Sequence, residues 1–320
     1  MYSLKFQIYH YFTDCCIFLT MLQTLSNAYE NSSQFYIHSL SAWFFMRIAL
    51  HQMTSGIDPD RNALDMVDSI AKSSEGGAVM YFAPEMSIII DRDRVRARPH
   101  MVRESESNGL MVLAEAAHQH KIWVHVGSMP MMDDGTEKLA NRAFVISPDG
   151  QITARYDKMH LFDVDLASGE SWRESSAYVG GENPVAVQTP LGLMGLAICY
   201  DLRFPDLFSR YAKLVVDVMA VPSAFTVPTG EAHWHCLLRA RAIESESFII
   251  AAAQCGVHED GRRTYGHSLV IDPWGTVILD MGEAPGLAFA DLDLEKIGEV
   301  RKQIPVHANR RAIPTPFIAR

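Results

Sequence analysis

Leu193-Met-Gly-Leu-Ala-Ile-Cys-Tyr-Asp-Leu-Arg-Phe-Pro205 is the stretch on which the reading of this chain turns. Its apolar run, 193–198, has the length and residue types of a buried strand. The polar cluster that follows, ending in Pro205, marks a turn into a new helix. Cys199 therefore stands where a strand gives way to a helix. The free backbone N–H groups of such a turn suit a negative charge, so a thiol here is well placed to act as a nucleophile. A thiol alone is inert, and a base and an electrophilic stabiliser must come from elsewhere in the chain.

Outward from this stretch, strand-like and helix-like segments alternate. Apolar runs predict strands over 47–52, 78–82, 122–126, 142–147, 152–156, 193–199, 214–221, 248–253, 267–271 and 276–280. Helical periodicity predicts helices over 62–73, 102–120, 205–212, 231–245 and 294–302. Ser147-Pro-Asp-Gly150 and Asp272-Pro-Trp-Gly275 are turn signals, each joining two strands into a hairpin. Helix-separated strands mixed with hairpins indicate a layered α/β fold. No composition break follows Met46, so residues 46–320 read as one domain, with a C-terminal tail from about 294.

Residues 1–45 have a different character, with Tyr, Phe, His, Cys and Ser scattered without a period. They read as an N-terminal extension outside the fold, with Met46 as an alternative start. The rival reading is a signal-like segment, built on the apolar stretch 15–22 and Ser26-Asn27-Ala28. Against it, Lys5 is the one positive charge ahead of that stretch, and Asp14 abuts it.

The 320 residues are 48% hydrophobic and 21% charged, an ordinary globular composition with material for a large core. A net charge of −10 and the absence of a basic run argue against nucleic acid as a partner. The apolar runs are all too short to span a membrane, which takes about 18 residues. The five cysteines are odd in number and form no C-x-x-C pair, which reads as a reduced, cytoplasmic protein without a structural metal.

Two more strand ends carry reactive side chains. Val79-Met-Tyr-Phe-Ala-Pro-Glu85-Met-Ser places Glu85 just past a strand, and Arg155-Tyr-Asp-Lys158-Met-His-Leu-Phe-Asp163 does the same for Lys158. Ligands of open α/β sheets bind beyond strand ends, so the three can converge. A partly buried carboxylate at Glu85 could take the thiol proton and return it to a leaving amine. The Lys158 cation, with the Tyr200 N–H, could hold an oxyanion. Read singly, each has a plainer explanation: a loop carboxylate, a solvated lysine, a small core cysteine. Cys236 and Cys255 are read as core residues of that kind.

The wording and order of these three motifs closely resemble the nitrilase superfamily of carbon–nitrogen hydrolases, from Met46 to about Leu294. The resemblance implies that Glu85 is general base and acid, Lys158 the stabiliser of the intermediate and Cys199 the nucleophile. It implies a four-layer αββα sandwich with pseudo-symmetric halves, paired into a homodimer or higher homo-oligomer, and neither cofactor nor metal. The family's second glutamate corresponds to Glu174 in Trp172-Arg-Glu174-Ser, with Glu170 the alternative. Two positions depart from related branches: His235 stands where Glu is common, and Ser245 where Asn is frequent.

The wording is most similar to the branch that contains deaminated-glutathione amidase and its bacterial relatives. This implies hydrolysis of a small carboxylate-bearing amide through a cysteine thioester. An ω-amidase, an N-carbamoylase and a nitrilase are the alternatives. Arg203, four residues past Cys199, could bind the substrate carboxylate bidentately, beside Tyr200, or could form an ion pair with Asp201 or Asp206. Other readings are a Cys–His hydrolase using His233, His235, His258 or His267, and a non-catalytic binding protein on the same fold. His118-x-His120 and His233-x-His235 are poor metal pairs, because residues two apart on a helix diverge.

Overall fold

The computed structural model describes residues 45–133, 135–165, 169 and 171–319; the expected extension lies outside the described residues apart from Phe45, as does Glu170. Two sheets account for the domain. The first contains β1 (Phe45–Gln52), β2 (Met80–Phe82), β3 (Trp123–His125), β4 (Met129–Met132), β5 (Leu139–Ile146), β6 (Ile152–Asp157), β9 (Tyr178–Val179) and β18 (Gly286–Asp293). The second contains β10 (Ala186–Thr189), β11 (Gly192–Leu196), β12 (Val218–Ala220), β13 (Phe248–Ala251), β16 (Leu269–Ile271) and β17 (Val277–Asp280). Two small hairpins, β7 (Asp163–Asp165) with β8 (Ser171–Arg173) and β14 (Cys255–Val257) with β15 (Arg263–Tyr265), stand apart.

Each large sheet has a parallel centre. β1, β2 and β3 are joined through α1 (Pro59–Glu75) and α2 (Asn108–His120). β11, β12 and β13 are joined through α3 (Pro205–Lys213) and α4 (Val227–Ser245). An antiparallel hairpin completes each half, β5–β6 in the first and β16–β17 in the second. Both hairpins turn at the glycine read from the sequence: Gly150 and Gly275 have φ of 75° and 85°, a region that only glycine enters without strain.

Alternation along the strands builds the layers. Ile48, Leu50, Met80 and Phe82 face the second sheet and pack with Leu196, Ile198 and Val218 in one core. Their neighbours Ala49 and Tyr81 face the other way, onto Met66 and Ile70 of α1 and Leu113 of α2. On the far side, Phe208 and Tyr211 of α3 and Trp234 and Leu238 of α4 cover the second sheet. The order is helices, sheet, sheet, helices, the expected αββα sandwich in two similar halves. A final helix, α5 (Glu295–Gln303), follows β18.

Some boundaries move. The helix expected over 102–120 begins only at Asn108, because Ser107 caps it with its hydroxyl on the Leu110 N–H at 3.3 Å. α1 starts earlier, at Pro59, with the Asp58 carboxylate accepting from the N–H groups of Asp60 and Arg61. The strand expected over 214–221 shrinks to Val218–Ala220, since Val215 sits at φ 56° in the turn after α3. Cys255 is buried as expected, but Cys236 is exposed. The buried stripe of α4 runs through Trp234, Leu238 and Ala242, and a residue two along from Trp234 points about 200° away.

Candidate active site

Glu85, Lys158, Glu174, Cys199, Tyr200 and Arg203 all line one cavity of about 640 Å³. The first sheet delivers Glu85 past β2 and Lys158 past β6, and the second delivers Cys199 past β11. The cavity therefore opens at the seam of the sandwich, where strand ends of both sheets meet.

Lys158 is buried, 2% exposed, and pairs with both glutamates. Its Nζ donates to Glu85 Oε1 at 2.9 Å and to Glu174 Oε2 and Oε1 at 2.9 and 3.1 Å. Burial alone would push its pKa down; the carboxylates of Glu174 and Glu85, with Cys199, outweigh burial and hold it well above the ordinary value. Glu85 is 4% exposed and accepts three bonds: Lys158, the Asn141 amide at 2.9 Å, and the Ala224 N–H on Oε2 at 2.9 Å. Glu174 also accepts the Phe162 N–H at 2.6 Å, which ties it to the loop after β6.

Cys199 occupies a left-handed backbone position, φ 48°, at the first residue of a short 3-10 turn, 199–203. A non-glycine residue there is strained, and surrounding structure must hold it. Asp201 does so. It is fully buried; Oδ2 accepts from the Tyr156 hydroxyl at 2.7 Å and the Ile198 N–H at 2.9 Å, while Oδ1 accepts from the His160 N–H at 3.0 Å and its ring Nδ1 at 2.7 Å. The Cys199 N–H donates to Pro222 O at 2.9 Å. Burial first, then the Glu85 charge and its hydrogen bond, push the thiol pKa well above its ordinary value, against the pull of Lys158 and the Ala224 N–H. The Tyr200 N–H belongs to the first turn after Cys199, where N–H groups have no intrahelical partner.

The contacts weigh against the ion-pair reading of Arg203. Asp201 is committed to the four bonds above, so it does not serve Arg203. Instead the guanidinium sits 5.3 Å over the Phe225 ring and 5.9 Å over Tyr200, with Nη1 at 3.1 Å from His233 Nδ1. Among the described residues it has no carboxylate partner. The Cys–His alternative fails on position: none of His233, His235, His258 and His267 lines the cavity. His258 is bonded to Ser55 O and Thr264 Oγ1, and His235 and His267 both to Asp280. His233 and His235 diverge, as their spacing requires.

Two functional positions escape a sequence reading. Asn141, fully buried in β5, spans Glu85 Oε1 and Glu174 Oε1 at 2.9 and 3.4 Å. Its signal in the sequence is faint, one amide in the strand Leu-Ala-Asn-Arg-Ala-Phe-Val-Ile. Ala224 acts through its backbone, which residue type cannot reveal.

The family model of carbon–nitrogen hydrolases matches residues 47–302. The chain belongs to the carbon–nitrogen hydrolase family. Among the relatives of this hydrolase is the deaminated glutathione amidase of Bos taurus, 38% identical over 270 residues, 82% of this chain and 81% of that protein. Of solved structures, Saccharomyces cerevisiae Nit3, a member of branch 10 of the nitrilase superfamily, superposes with a TM-score of 0.75 at 28% identity, covering 84% of this chain and 97% of that one. A mutant of the amidase from Nesterenkonia sp. AN1, with the acetamide moiety of fluoroacetamide added covalently at its active-site cysteine, gives a TM-score of 0.70 at 26% identity, covering 83% of this chain and 94% of that one. The carbon–nitrogen hydrolase is thus an enzyme of the expected class on the expected fold. Among its described residues, no helix is long and apolar enough to cross a membrane.

Proposed function

We propose that this hydrolase cleaves the amide bond of a small carboxylate-bearing amide of the deaminated-glutathione type, with Cys199 as nucleophile, Glu85 as acid and base, and Lys158 as stabiliser. The observation that carries the reading is the meeting of Glu85, Lys158 and Cys199 in one cavity, each within reach of the others.

The chemistry follows from the contacts. As the Cys199 sulfur attacks the amide carbon, the thiol proton moves to the Glu85 carboxylate. The resulting oxyanion meets the Lys158 ammonium and the Tyr200 N–H. Glu85 returns its proton to the departing nitrogen, and the amine leaves a thioester on Cys199. Water, deprotonated by Glu85, then hydrolyses the thioester to a carboxylic acid and restores the thiol. Glu174 and Asn141 hold Lys158 and Glu85 at working distance, and take no proton. Arg203, free of protein carboxylates, receives the substrate carboxylate beside Tyr200. The branch likeness supports deaminated glutathione over the α-keto amide of an ω-amidase.

We also read the protein as a cytoplasmic homodimer or higher homo-oligomer, on the free cysteines Cys199, Cys236 and Cys255 and the family resemblance. The test of function is release of amine or ammonia from deaminated glutathione, α-ketoglutaramate, an N-carbamoyl amino acid and an aliphatic nitrile. Turnover of deaminated glutathione that disappears in Cys199→Ala, with a thioester mass added to the native chain, is expected. Efficient turnover by Cys199→Ala or by Lys158→Ala would refute the assignment.

A further inference from the structure

The acidic chain surrounds a basic cavity. Nine Lys or Arg side chains line it against four Asp or Glu, in a protein whose net charge is −10. Glu85, Lys158 and Glu174 neutralise one another in part, and Arg203 stands beside the nucleophile. A second cationic group remains unexplained by the reaction. Trp172 of β8 lies between two guanidinium groups, Arg262 at 5.0 Å and Arg92 at 5.4 Å from its ring centroid. All three residues line the cavity.

The protein's own anions meet part of this charge. Asp260 pairs with the Arg262 guanidinium through Oδ2 at 3.2 Å and accepts the Arg262 backbone N–H on Oδ1 at 2.9 Å. Asp91, next to Arg92 in sequence, is taken up by the Arg96 fork at 2.7 and 2.8 Å. Two buried donors, Arg262 Nε and Trp172 Nε1, have no hydrogen-bond partner among the described residues. A buried donor left unpaired costs free energy, and the exposed Arg92 side chain has no carboxylate partner among the described residues. Burial lowers the Arg262 pKa, against the pull of Asp260, and Arg92 adds to the lowering.

We infer that Arg262, Trp172 and Arg92 form a second carboxylate-binding subsite, which receives the far end of a substrate bearing a carboxylate on its leaving group. This rests on the proposed amidase reading and deepens it. Deaminated glutathione is an α-keto acyl group linked through an amide to a dipeptide. It carries one carboxylate on the acyl side, for Arg203, and another at the end of the departing dipeptide, for this cluster. A short primary amide such as α-ketoglutaramate has only the first.

The experiment compares deaminated glutathione with its C-terminal carboxamide, which differs only in the second carboxylate. Binding of both to full-length Cys199→Ala is measured by calorimetry, and turnover of both by the wild type is measured alongside. The Cys199→Ala protein should bind the carboxylate form ~10–100-fold more tightly, the range for hydrogen bonds to a charged group. Adding Arg262→Gln should bring that preference close to one. Arg262 is mostly buried, so Arg92→Gln, at an exposed side chain, is a second variant and should cut the preference several-fold. Equal binding of the two forms, no binding of either, or a preference untouched by both substitutions would overturn the subsite. The amidase reading fails separately, if wild-type protein turns over neither form nor any short amide.

Discussion

Asp201 is the residue through which the strained nucleophile position can be tested. Replacing it with Asn changes one carboxylate oxygen to an amide NH2 and little else. Each oxygen accepts two bonds, and in each case one donor is a backbone N–H: His160 on Oδ1, Ile198 on Oδ2. The Tyr156 hydroxyl and the His160 ring can reverse their roles to meet an NH2; a backbone N–H cannot. Whichever way the amide turns, one buried N–H loses its acceptor, costing about 1–3 kcal/mol. The remaining bonds fall from charge-assisted to neutral strength, about half. We expect a loss of about 4 kcal/mol, and a fall in Tm of about 10 °C for a domain of this size. Turnover should fall as well, because the turn that holds Cys199 at φ 48° loosens. Calorimetric melting and amine release measure the two effects. Asp206→Asn, on an exposed side chain of α3, is the control, with a change within about 0.5 kcal/mol. A Tm within 2 °C of wild type, roughly 0.8 kcal/mol on the same scale, together with unchanged turnover would refute the reasoning.

Other outcomes follow from single contacts. Gly127 has φ 77°, and a Cβ there would lie 1.8 Å from Pro84 O, so Gly127→Ala should push on the arm that bears Glu85 and cut turnover by at least tenfold; unchanged kinetics would show that the arm is slack. Burial drives the His51 pKa from 6.5 to about 4, so its contribution is present above pH 6.5 and is lost as pH falls toward 4. That amounts to about 3 kcal/mol, and urea denaturation of His51→Phe between pH 7 and 4.5 should show a correspondingly shallower loss than wild type. The Cys199 pKa lies above its ordinary 9.0, so as pH rises past 9 the unfolded chain releases this proton first and stability falls. Cys199→Ala should flatten that alkaline decline, and iodoacetamide should alkylate the resting wild-type residue more slowly at pH 7 than an exposed cysteine.

The parts of the fold that could be read from residues alone are those whose physics is local. The buried runs of β11 and β13 are apolar over their whole length, and both hairpin glycines sit where a positive φ is needed. Glu85, Lys158 and Cys199 could be singled out because each reactive side chain ends a strand. What stayed hidden depends on distant parts of the chain. β18 is a half-exposed edge strand, and its place beside β1 follows from the whole sandwich, not its own pattern. Asn141 gains meaning only when Glu85 and Glu174 arrive from either side. The Arg203 question was open because its two readings differ in what Asp201 touches, and Asp201 is occupied by Tyr156 and His160, both about 40 residues earlier.

The seam position of the cavity has a consequence for how the molecule is made. Glu85 and Lys158 are encoded before Cys199, so on the proposed roles the ribosome releases the base and the lysine before the nucleophile. The first sheet itself is finished only by β18, residues 286–293, which are translated after Cys199. Catalytic competence is therefore a late event in the life of each copy, gained at the closing of two sheets. Two separately expressed halves, each inert, would regain turnover only on reassociation, and the rate of that recovery would time the closure of the sandwich.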